Sequence, residues 1–205
     1  MRFFIKNLLN RFCQLLVLPI AATCWVEQKL LGESEIAFSF WAQAISAMPG
    51  MPGSFVRRAF YSLTLSKCSL NVQIGFGSIF TQSKAIVEDH VSIGNYAVIG
   101  SVRLGEHCKI ASRVSIPSGK NQHIKGADGR WTPFDLRRSK QLDIGADVWI
   151  GEGAIVMADI GDGSLVAAGA VVTLPVKSNV IVSGNPAIVI NEIKIAQANS
   201  SSTDI

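Results

Sequence analysis

Charged residues are scarce in this chain, at 17% of 205 residues, whereas an average soluble domain has about 25%. Hydrophobic residues make up 48%, and 18 positions are glycine. This composition excludes intrinsic disorder, because disordered segments combine low hydrophobicity with high net charge. No uninterrupted apolar run reaches the roughly 20 residues of a membrane span, which argues against a polytopic membrane protein. The apolar residues must therefore be buried in a repetitive core, at a subunit interface or in a membrane surface.

Paired cysteine motifs and nucleotide-binding loops are also missing. The four cysteines, Cys13, Cys24, Cys68 and Cys108, form no CxxC pair. We therefore predict free thiols in a reducing compartment rather than a zinc site or a disulfide framework. The Gly-x-Gly sequences complete neither a dinucleotide-binding fingerprint nor a P-loop. The net charge of +4 is unevenly placed, since residues 118–140 carry six basic and two acidic residues. A confined basic loop favours an anionic small molecule over nucleic acid.

The N-terminal region, residues 1–66, is predicted to be helical and apolar. Arg2, Lys6 and Arg11 precede an apolar run over residues 12–26, which is short for a membrane span. We therefore predict a helix that lies in the membrane interface, with its basic residues on anionic headgroups. The alternative is that this helix packs on the rest of the protein or on a second subunit.

The predicted membrane contact extends over residues 1–31, and two further helices are expected after it. Pro19 should kink or break the first helix. The apolar pattern predicts a second helix over residues 34–48, which the Pro- and Gly-rich segment 49–53 ends. A third helix is predicted over residues 55–65.

From Cys68 onward the pattern changes, and aliphatic residues recur every six positions, often followed by glycine. Two blocks show this period clearly, at residues 87–116 and 144–172. An internal hexapeptide repeat indicates a parallel β-helix, in which three short strands make one turn. The aliphatic residues should point inward and stack about 4.8 Å apart along the helix axis. We expect about five turns within residues 67–193, and a polar tail over residues 194–205.

These features resemble the hexapeptide-repeat O-acetyltransferases, which include maltose, galactoside and xenobiotic acetyltransferases. The resemblance covers residues 68–193. Besides the repeats, it rests on four motifs: Asn121-Gln-His123, Thr132-Pro-Phe134, Asp147-Val-Trp-Ile-Gly151 and Gly184-Asn-Pro-Ala187. The N-terminal section is similar to sugar acetyltransferases from bacterial surface-polysaccharide gene sets.

The resemblance implies an all-β fold, a left-handed parallel β-helix with an N-terminal α-helical extension and one long extruded loop. The left hand is an exception to the right-handed crossover rule. We assign the extruded loop to residues 117–143, because structureless loops longer than about 12–15 residues are usually functional. The resemblance also implies a homotrimer, with acetyl-CoA in the cleft between adjacent subunits.

Site residues follow from the same resemblance. His123, in the loop, matches the family's catalytic histidine. A hydroxyl attacks a thioester at neutral pH only when a base removes its proton, and histidine suits this task. The coenzyme contacts carry over to Glu152, Ala168 and Thr173, the first two acting mainly through backbone groups.

The chain departs from the family where the coenzyme phosphates would lie. Leu174 stands where the family often has lysine, and Ile188 and Asn191 stand where it often has arginine. Other cations must then hold the phosphates. Lys177 is assigned to the coenzyme site for this reason, and Lys140 is a further candidate.

Loop residues are predicted to bind the acceptor, namely Asn121, Trp131, Arg137 and Arg138. Trp131 is included because sugars stack on aromatic faces. The two arginines are also candidates for the coenzyme phosphates.

The remaining histidines suggest a rival site. His90 and His107 occupy the same place in their hexapeptides, so we expect them to stack at one edge of the β-helix. Together with His123 they would form a three-histidine metal site like that of γ-class carbonic anhydrases. The motifs that surround the repeats in those enzymes are absent, so we predict no metal and interpret the pair as solvated corner histidines.

The sequence therefore predicts an acetyl-CoA-dependent O-acetyltransferase that modifies a saccharide hydroxyl in bacterial surface polysaccharide biosynthesis, such as O-antigen, capsule or exopolysaccharide. It should work in the cytoplasm, peripherally or monotopically associated with the inner face of the cytoplasmic membrane. A soluble xenobiotic (antibiotic) acetyltransferase and a non-catalytic β-helical scaffold are the alternatives. No nucleic-acid partner is expected, and the sequence leaves the acceptor and the acyl-chain length open.

Overall fold

A computed structural model describes residues 2–32, 34–118, 123–133 and 140–193 of the chain. Three helices come first, α1 (Arg2–Leu31), α2 (Ile36–Ser46) and α3 (Gly50–Thr64). In the described part of the chain, short strands then follow one another to the C-terminal end: β1 (Lys67–Cys68), β2 (Gln73–Ile74), β3 (Ile79–Phe80), β4 (Ile86–Val87), β5 (Ser92–Ile93), β6 (Val98–Ile99), β7 (Val102–Leu104), β8 (Lys109–Ile110), β9 (Ser115–Ile116), β10 (Leu142–Ile144), β11 (Trp149–Ile150), β12 (Ile155–Val156), β13 (Leu165–Val166), β14 (Val171–Val172), β15 (Val180–Gly184) and β16 (Ala187–Glu192).

The strands form three sheets that wind around one axis. Sheet A has the order β1-β4-β7-β10, sheet B the order β2-β5-β8-β11-β13-β15-β16, and sheet C the order β3-β6-β9-β12-β14. Parallel bridges at Ile160 and Val176 continue sheet A. The fold is therefore a parallel β-helix of about six turns, which confirms the predicted architecture. The repeats suggested about five turns, because the first turn has Cys68 and Phe80 where later turns have aliphatic residues.

Inward-pointing aliphatic residues stack along each sheet, as the hexapeptide period predicts. In sheet B the strand register places equivalent residues directly above one another. All of them are buried, and burial of each such side chain contributes about 1.5–3 kcal/mol. The stacked residues are Ile74, Ile93, Ile110, Ile150, Val166 and Val182.

At the corner between sheets A and B, every described turn after the first places one residue in the left-handed region. The residues at this position have φ between 54° and 66°. Glycine, asparagine and aspartate tolerate this conformation best, and histidine tolerates it better than most residues. In chain order they are His90, His107, Asp147, Gly163 and Asn179. We call this edge the AB corner, and name the BC and CA corners in the same way.

Helix α1 is one uninterrupted helix of 30 residues with Pro19 inside it, so the predicted break at this proline is wrong. Proline removes one backbone hydrogen bond, but packing on both sides of it holds the helix. Gln14 Nε2 donates to Ser62 Oγ of α3 at 2.9 Å, and Trp25 Nε1 donates to the carbonyl oxygen of Leu63 at 3.0 Å. A buried stripe faces α3, formed by Asn10, Cys13, Val17, Ala21 and Cys24.

The opposite face of α1 exposes large apolar side chains. Residues 6–31 are long and apolar enough to cross a membrane by length and composition, and an 18-residue window within them has a mean hydropathy of 1.4. Only 28% of this window is buried within the protein. Apart from Trp25, whose indole bonds to α3, the exposed residues are Leu8, Leu9, Phe12, Leu15, Leu16, Leu18, Val26, Leu30 and Leu31, and we call them the outer face of α1.

Helices α2 and α3 close the first turn of the β-helix. Helix α3 begins at Gly50, five residues earlier than predicted, because Pro52 lies in its first turn, where proline is tolerated. The ring of Tyr61 packs edge-on against that of Phe80, with centroids 4.8 Å apart. The Phe80 N–H donates to Tyr61 Oη at 3.2 Å. Phe38 and Phe60 complete this aromatic cluster.

A carboxylate from α1 satisfies the N-terminus of α2. Glu27 accepts hydrogen bonds from the backbone N–H groups of Ile36 at 3.0 Å and Ala37 at 2.7 Å, and from the Ser34 hydroxyl. Burial raises the pKa of Glu27, but these hydrogen bonds outweigh it and leave the pKa below its ordinary value. The N-terminal helices are therefore tied to one another as well as to the β-helix.

The far end of the β-helix closes with an antiparallel hairpin of β15 and β16. The Gly184-Asn-Pro-Ala187 sequence forms its turn, with a cis peptide bond between Asn185 and Pro186. The hexapeptide period did not predict this strand, because the period describes only parallel turns.

Candidate functional site

The insertion leaves the β-helix at the CA corner, between β9 and β10. At its root Ser118 is buried, and its hydroxyl oxygen accepts hydrogen bonds from the Ser101 N–H at 2.7 Å and from Gln82 Nε2 at 2.8 Å. The sequence did not single out these residues. These two hydrogen bonds connect Ser118 to the two preceding turns and thus fix the point at which the insertion leaves the β-helix.

The returning end of the insertion is also attached to the coils. Lys140 Nζ donates to Asp159 Oδ2 at 2.8 Å, and Gln141 Nε2 donates to the Lys84 carbonyl oxygen at 2.7 Å. Burial raises the pKa of Asp159, but Lys140 and a backbone N–H outweigh it and lower the pKa overall. The predicted loop of residues 117–143 is too long at its C-terminal end, because residues 142 and 143 already belong to β10.

Residues 123–133 of the insertion form a small hairpin that positions His123. The Thr132 N–H donates to the Ile124 carbonyl oxygen at 2.8 Å, and the Ile124 N–H donates to Thr132 Oγ1 at 3.1 Å. Lys125 and Trp131 form an antiparallel bridge. The histidine therefore lies at the base of a short hydrogen-bonded ladder, on the exposed surface.

A backbone carbonyl assigns the tautomer of the His123 ring. His123 Nδ1 lies 2.7 Å from the carbonyl oxygen of Thr132. Because a carbonyl oxygen only accepts hydrogen bonds, the proton of a neutral imidazole is assigned to Nδ1, and Nε2 is then the basic nitrogen. A backbone carbonyl on one ring nitrogen is the usual way to orient a histidine that acts as a base through the other.

A cavity of about 300 Å³ opens beside the root of the insertion. It lies on the outer side of sheet C and at the CA corner, and both polar and aliphatic groups line it. The lining includes Thr81, Gln82, Val98, Gly100, Ser115 and Pro117. A ligand in this cavity would lie against Pro117 and Ser118, where the insertion begins.

The predicted coenzyme residues are distributed over three corners of the protomer. Glu152 and Ala168 lie on adjacent turns of the BC corner, where the Gly169 N–H donates to the Glu152 carbonyl oxygen at 2.8 Å. Thr173 follows β14 at the CA corner, and Lys177 lies at the AB corner. One protomer therefore brings Glu152 and Ala168 together, but does not bring Thr173 or Lys177 to them.

Thr173 shares its corner with the insertion. It lies two turns beyond Pro117 along the CA corner, which corresponds to roughly 10 Å at the usual strand spacing. Leu174, which stands where the family often has lysine, is 70% exposed beside it. The Glu152 carboxylate, in contrast, forms an ion pair of 2.6 Å with Arg113.

Of the predicted acceptor residues, Trp131 alone lies in the described part of the insertion. Its ring is 67% exposed on the hairpin, and Lys125 Nζ lies 5.5 Å from the ring centroid. Asn121, Arg137 and Arg138 lie outside the described residues. Their assignment stays a prediction.

His90 and His107 stack as predicted, with ring centroids 4.8 Å apart and planes 11° from parallel. They lie at the AB corner, whereas the insertion with His123 departs from the CA corner. Within one protomer the insertion that carries His123 therefore departs from a different edge than the one that carries His90 and His107. Among the described residues no group of three or more metal-ligating side chains is found.

Two segments of the chain match a known protein family. Residues 84–116 and 141–173 match the family described as "Hexapeptide repeat of succinyl-transferase". Both blocks therefore carry the hexapeptide repeat that the sequence indicated.

Among curated sequences, the chain is 34% identical over 125 residues to an Escherichia coli K12 protein whose name is given as "Putative lipopolysaccharide biosynthesis O-acetyl transferase WbbJ". The alignment covers 58% of this chain and 62% of WbbJ. The chain spans less than two thirds of the length of the curated relatives that it matches.

Solved acetyltransferases share the fold. A maltose O-acetyltransferase from Clostridium difficile 630 superposes with a TM-score of 0.67 at 20% identity, covering 82% of this chain and 90% of that chain. A hexapeptide-repeat acetyltransferase from Vibrio cholerae, solved with acetyl coenzyme A, gives a TM-score of 0.53 at 20% identity, covering 80% and 92%. At these identities the likeness establishes the architecture.

Proposed function

We propose that this protein is an acetyl-CoA-dependent O-acetyltransferase that modifies a saccharide hydroxyl in bacterial surface polysaccharide biosynthesis. The observation that carries the proposal is the contact between His123 Nδ1 and the Thr132 carbonyl oxygen, which makes Nε2 the basic nitrogen. The similarity to WbbJ supports the choice of a polysaccharide acceptor. Trp131, exposed on the same hairpin, supplies an aromatic face for a sugar ring.

His123 acts as the general base in this proposal. Its Nε2 removes the proton from the acceptor hydroxyl while the oxygen attacks the acyl carbon, and the Thr132 carbonyl stabilises the imidazolium through Nδ1–H. Acetyl-CoA supplies the acyl group as a thioester. The imidazolium then returns the proton to the departing thiol. The hairpin contributes by holding the base at a fixed position, so that the hydroxyl and the acyl carbon meet in a productive orientation.

The outer surface of the turns would bind the anionic coenzyme. The Glu152 carboxylate would repel the coenzyme phosphates if it were alone, but its pairing with Arg113 compensates the charge. Thr173 lies on the same corner as the insertion, so a chain-like ligand along this corner would reach from the Thr173 hydroxyl to the histidine hairpin. Lys177 belongs to another corner, and its contribution requires a second subunit.

The separation of these residues within one protomer supports a homotrimer with active sites between subunits. Outward-facing apolar side chains on the later turns would be covered in such an assembly: Trp149, Ile155, Leu174, Ile188, Val189 and Ile190. Light scattering after gel filtration should give three times the chain mass of 22.0 kDa. A monomer of unchanged activity would contradict this arrangement.

We further propose that the outer face of α1 rests on the inner face of the cytoplasmic membrane. One side of α1 packs on α3, so the helix does not need the membrane in order to form. The other side exposes a continuous apolar surface, which is larger than isolated surface hydrophobics would give. This placement would hold the catalytic hairpin near a lipid-linked or nascent glycan.

The direct test is to incubate the full-length protein with acetyl-CoA and lipopolysaccharide or capsular oligosaccharides, and to follow the gain of one acetyl group by mass spectrometry. Acetylation of an antibiotic hydroxyl in preference to every glycan would favour the xenobiotic acetyltransferase. If calorimetry detects no acetyl-CoA binding, the β-helical scaffold is the better description.

A further inference from the structure

A second cavity lies far from the insertion, between the N-terminal helices and sheet B. Its volume is about 510 Å³. Cationic and imidazole side chains from four elements line it, and we call it the basic groove: Lys6 of α1, Arg58 of α3, His90 and His107 of the AB corner, and Lys109 of β8. No carboxylate is among the described residues that line it.

Arg58 is the unusual member of this groove. Its side chain is only 6% exposed. One guanidinium nitrogen donates to the Val72 carbonyl oxygen at 3.1 Å and the other to Asn10 Oδ1, while Nε has no hydrogen-bond partner. The Phe55 ring covers the guanidinium at 4.5 Å.

No acidic side chain of the described residues forms an ion pair with Arg58. Buried charges are normally paired, because desolvation of an unpaired cation is unfavourable. Burial accordingly lowers the pKa of Arg58, although arginine keeps its proton in proteins. Arg57, the next residue, is 1% exposed and is likewise held by carbonyl oxygens, of Ile74 and Met48. The groove therefore contains positive charge that the described residues do not neutralise.

The mouth of the groove adds donors that are accessible to a ligand. His90 and His107 are exposed and stack in parallel, and Lys109 Nζ lies 3.4 Å from the His90 carbonyl oxygen. The neighbouring acid, Asp89, accepts hydrogen bonds from Ser69 and Asn71 and does not line the cavity. Lys6 Nζ donates to Asn71 Oδ1 at 3.2 Å on the opposite wall.

We propose that the basic groove binds a phosphate group. Lys6 and Lys109 line the groove from separate elements beside the buried charge of Arg58, and charge-assisted hydrogen bonds from the lysines suit a tetrahedral dianion or a phosphodiester better than a neutral sugar. The anion supplies the counter-charge that Arg58 lacks. Two sources share this chemistry, a soluble phosphorylated compound and a phospholipid headgroup beside the outer face of α1. The site does not depend on the acetyl-transfer proposal.

The chain has three histidines, so imidazole NMR provides a clean readout. Inorganic phosphate, added to the full-length protein at constant ionic strength, should shift the His90 and His107 signals saturably and leave His123 in place. Sodium acetate at the same ionic strength serves as the matched anion. Equal shifts with acetate, shifts of all three histidines together, or no shift at all would overturn the proposal.

Variants locate the anion. Lys109→Ala and Lys6→Ala should each weaken phosphate binding about tenfold, since each removes one charge-assisted contact. Lys84→Ala, in the segment before β4, is the matched control and should bind like the unaltered protein. Circular dichroism checks that each variant is folded. Unchanged affinity in both groove variants would contradict the assignment.

Vesicles separate the two sources. If the ligand is a lipid headgroup, flotation with phosphatidylglycerol vesicles should fall in Lys6→Ala and Lys109→Ala, should compete with inorganic phosphate, and should exceed flotation with phosphatidylcholine. If both variants float normally while still failing to bind phosphate, the groove takes a soluble phosphorylated compound. Loss of acetyl transfer plays no part in either readout, so failure here and failure of the enzymatic proposal remain distinguishable.

Discussion

The β-helix and the helical layer, which consists of α1, α2 and α3, differ in where their apolar residues lie. In the turns of sheet B the inward positions are aliphatic and buried, while outward neighbours such as Gln73, Ser92 and Lys109 are polar. Helix α1 has a buried stripe against α3 and a second apolar face that is exposed in the described part of the chain. The β-helix thus buries its inward positions turn by turn, whereas α1 leaves one long apolar face exposed.

The two regions also differ in the polar and charged groups that they bury. The turns bury small polar groups that are satisfied locally, as Ser118 is by Gln82 and Ser101. The helical layer buries two adjacent arginines that are held by carbonyl and amide oxygens. Both the outer face of α1 and the basic groove therefore point to ligands of the helical layer, one apolar and one anionic.

The largest effect on stability is expected in the β-helix. Ile110→Ala removes a buried side chain stacked between Ile93 and Ile150 and should lower the free energy of unfolding by about 2–5 kcal/mol. Urea unfolding measures this change. Ser115→Ala, at a half-buried outward position, should stay within about 0.5 kcal/mol. Equal losses from both variants would contradict the inward stacking.

The contact between the two regions gives the next largest effect. Tyr61→Phe keeps the ring against Phe80 but leaves the buried Phe80 N–H without an acceptor, which should lower stability by about 1–3 kcal/mol. If the helical layer and the β-helix unfold together, the substitution should shift a single unfolding transition. Two separate transitions, with only the helical one affected, would show that the layer does not cap the turns.

Within the helical layer, Glu27→Gln should cost about 1 kcal/mol, because it weakens the hydrogen bonds to the N-terminus of α2. The pKa of Glu27 is lowered in the folded state, so its contribution is present above the ordinary value of 4.5 and is lost as the pH falls through the lowered value. The difference between the variant and the unaltered protein should therefore shrink below pH 4.5. A difference that grows on acidification would be inconsistent with this role.

The outer face of α1 should show the smallest effect on stability. Leu15→Gln combined with Leu16→Gln changes exposed side chains and should alter the free energy of unfolding by about 0.5 kcal/mol or less per site. Flotation with lipid vesicles should nevertheless fall sharply. Deletion of residues 1–66 is a poorer test, since it uncovers Phe80 and the first turn. Undiminished flotation of the double variant would contradict a membrane contact through the outer face of α1.

The hexapeptide period was sufficient to predict the parallel turns, the inward residues and the stacking of His90 on His107, because each depends only on spacing along the chain. The persistence of α1 through Pro19 was not predictable in this way, since packing against α3 decides it. The burial of Arg58 was not predictable for the same reason. An arginine in a helix is normally solvated, and only the tertiary structure shows that it packs against other elements.

The candidate catalytic site was predictable to a different extent. The resemblance selected His123 from its motif, but the hairpin and the Thr132 carbonyl that orient its ring depend on pairing across nine residues. The spread of Glu152, Thr173 and Lys177 over three corners follows from the phase of each residue within its turn. The strand pairing of the later turns shows this phase.

The central claim is that His123 is the general base of an acetyl transfer, and the most direct measurement compares His123→Ala with the unaltered protein for both turnover and acetyl-CoA binding. Turnover on an accepted glycan should fall by about 10²–10⁴-fold, while calorimetry gives an unchanged coenzyme affinity. Turnover close to that of the unaltered protein would contradict the account.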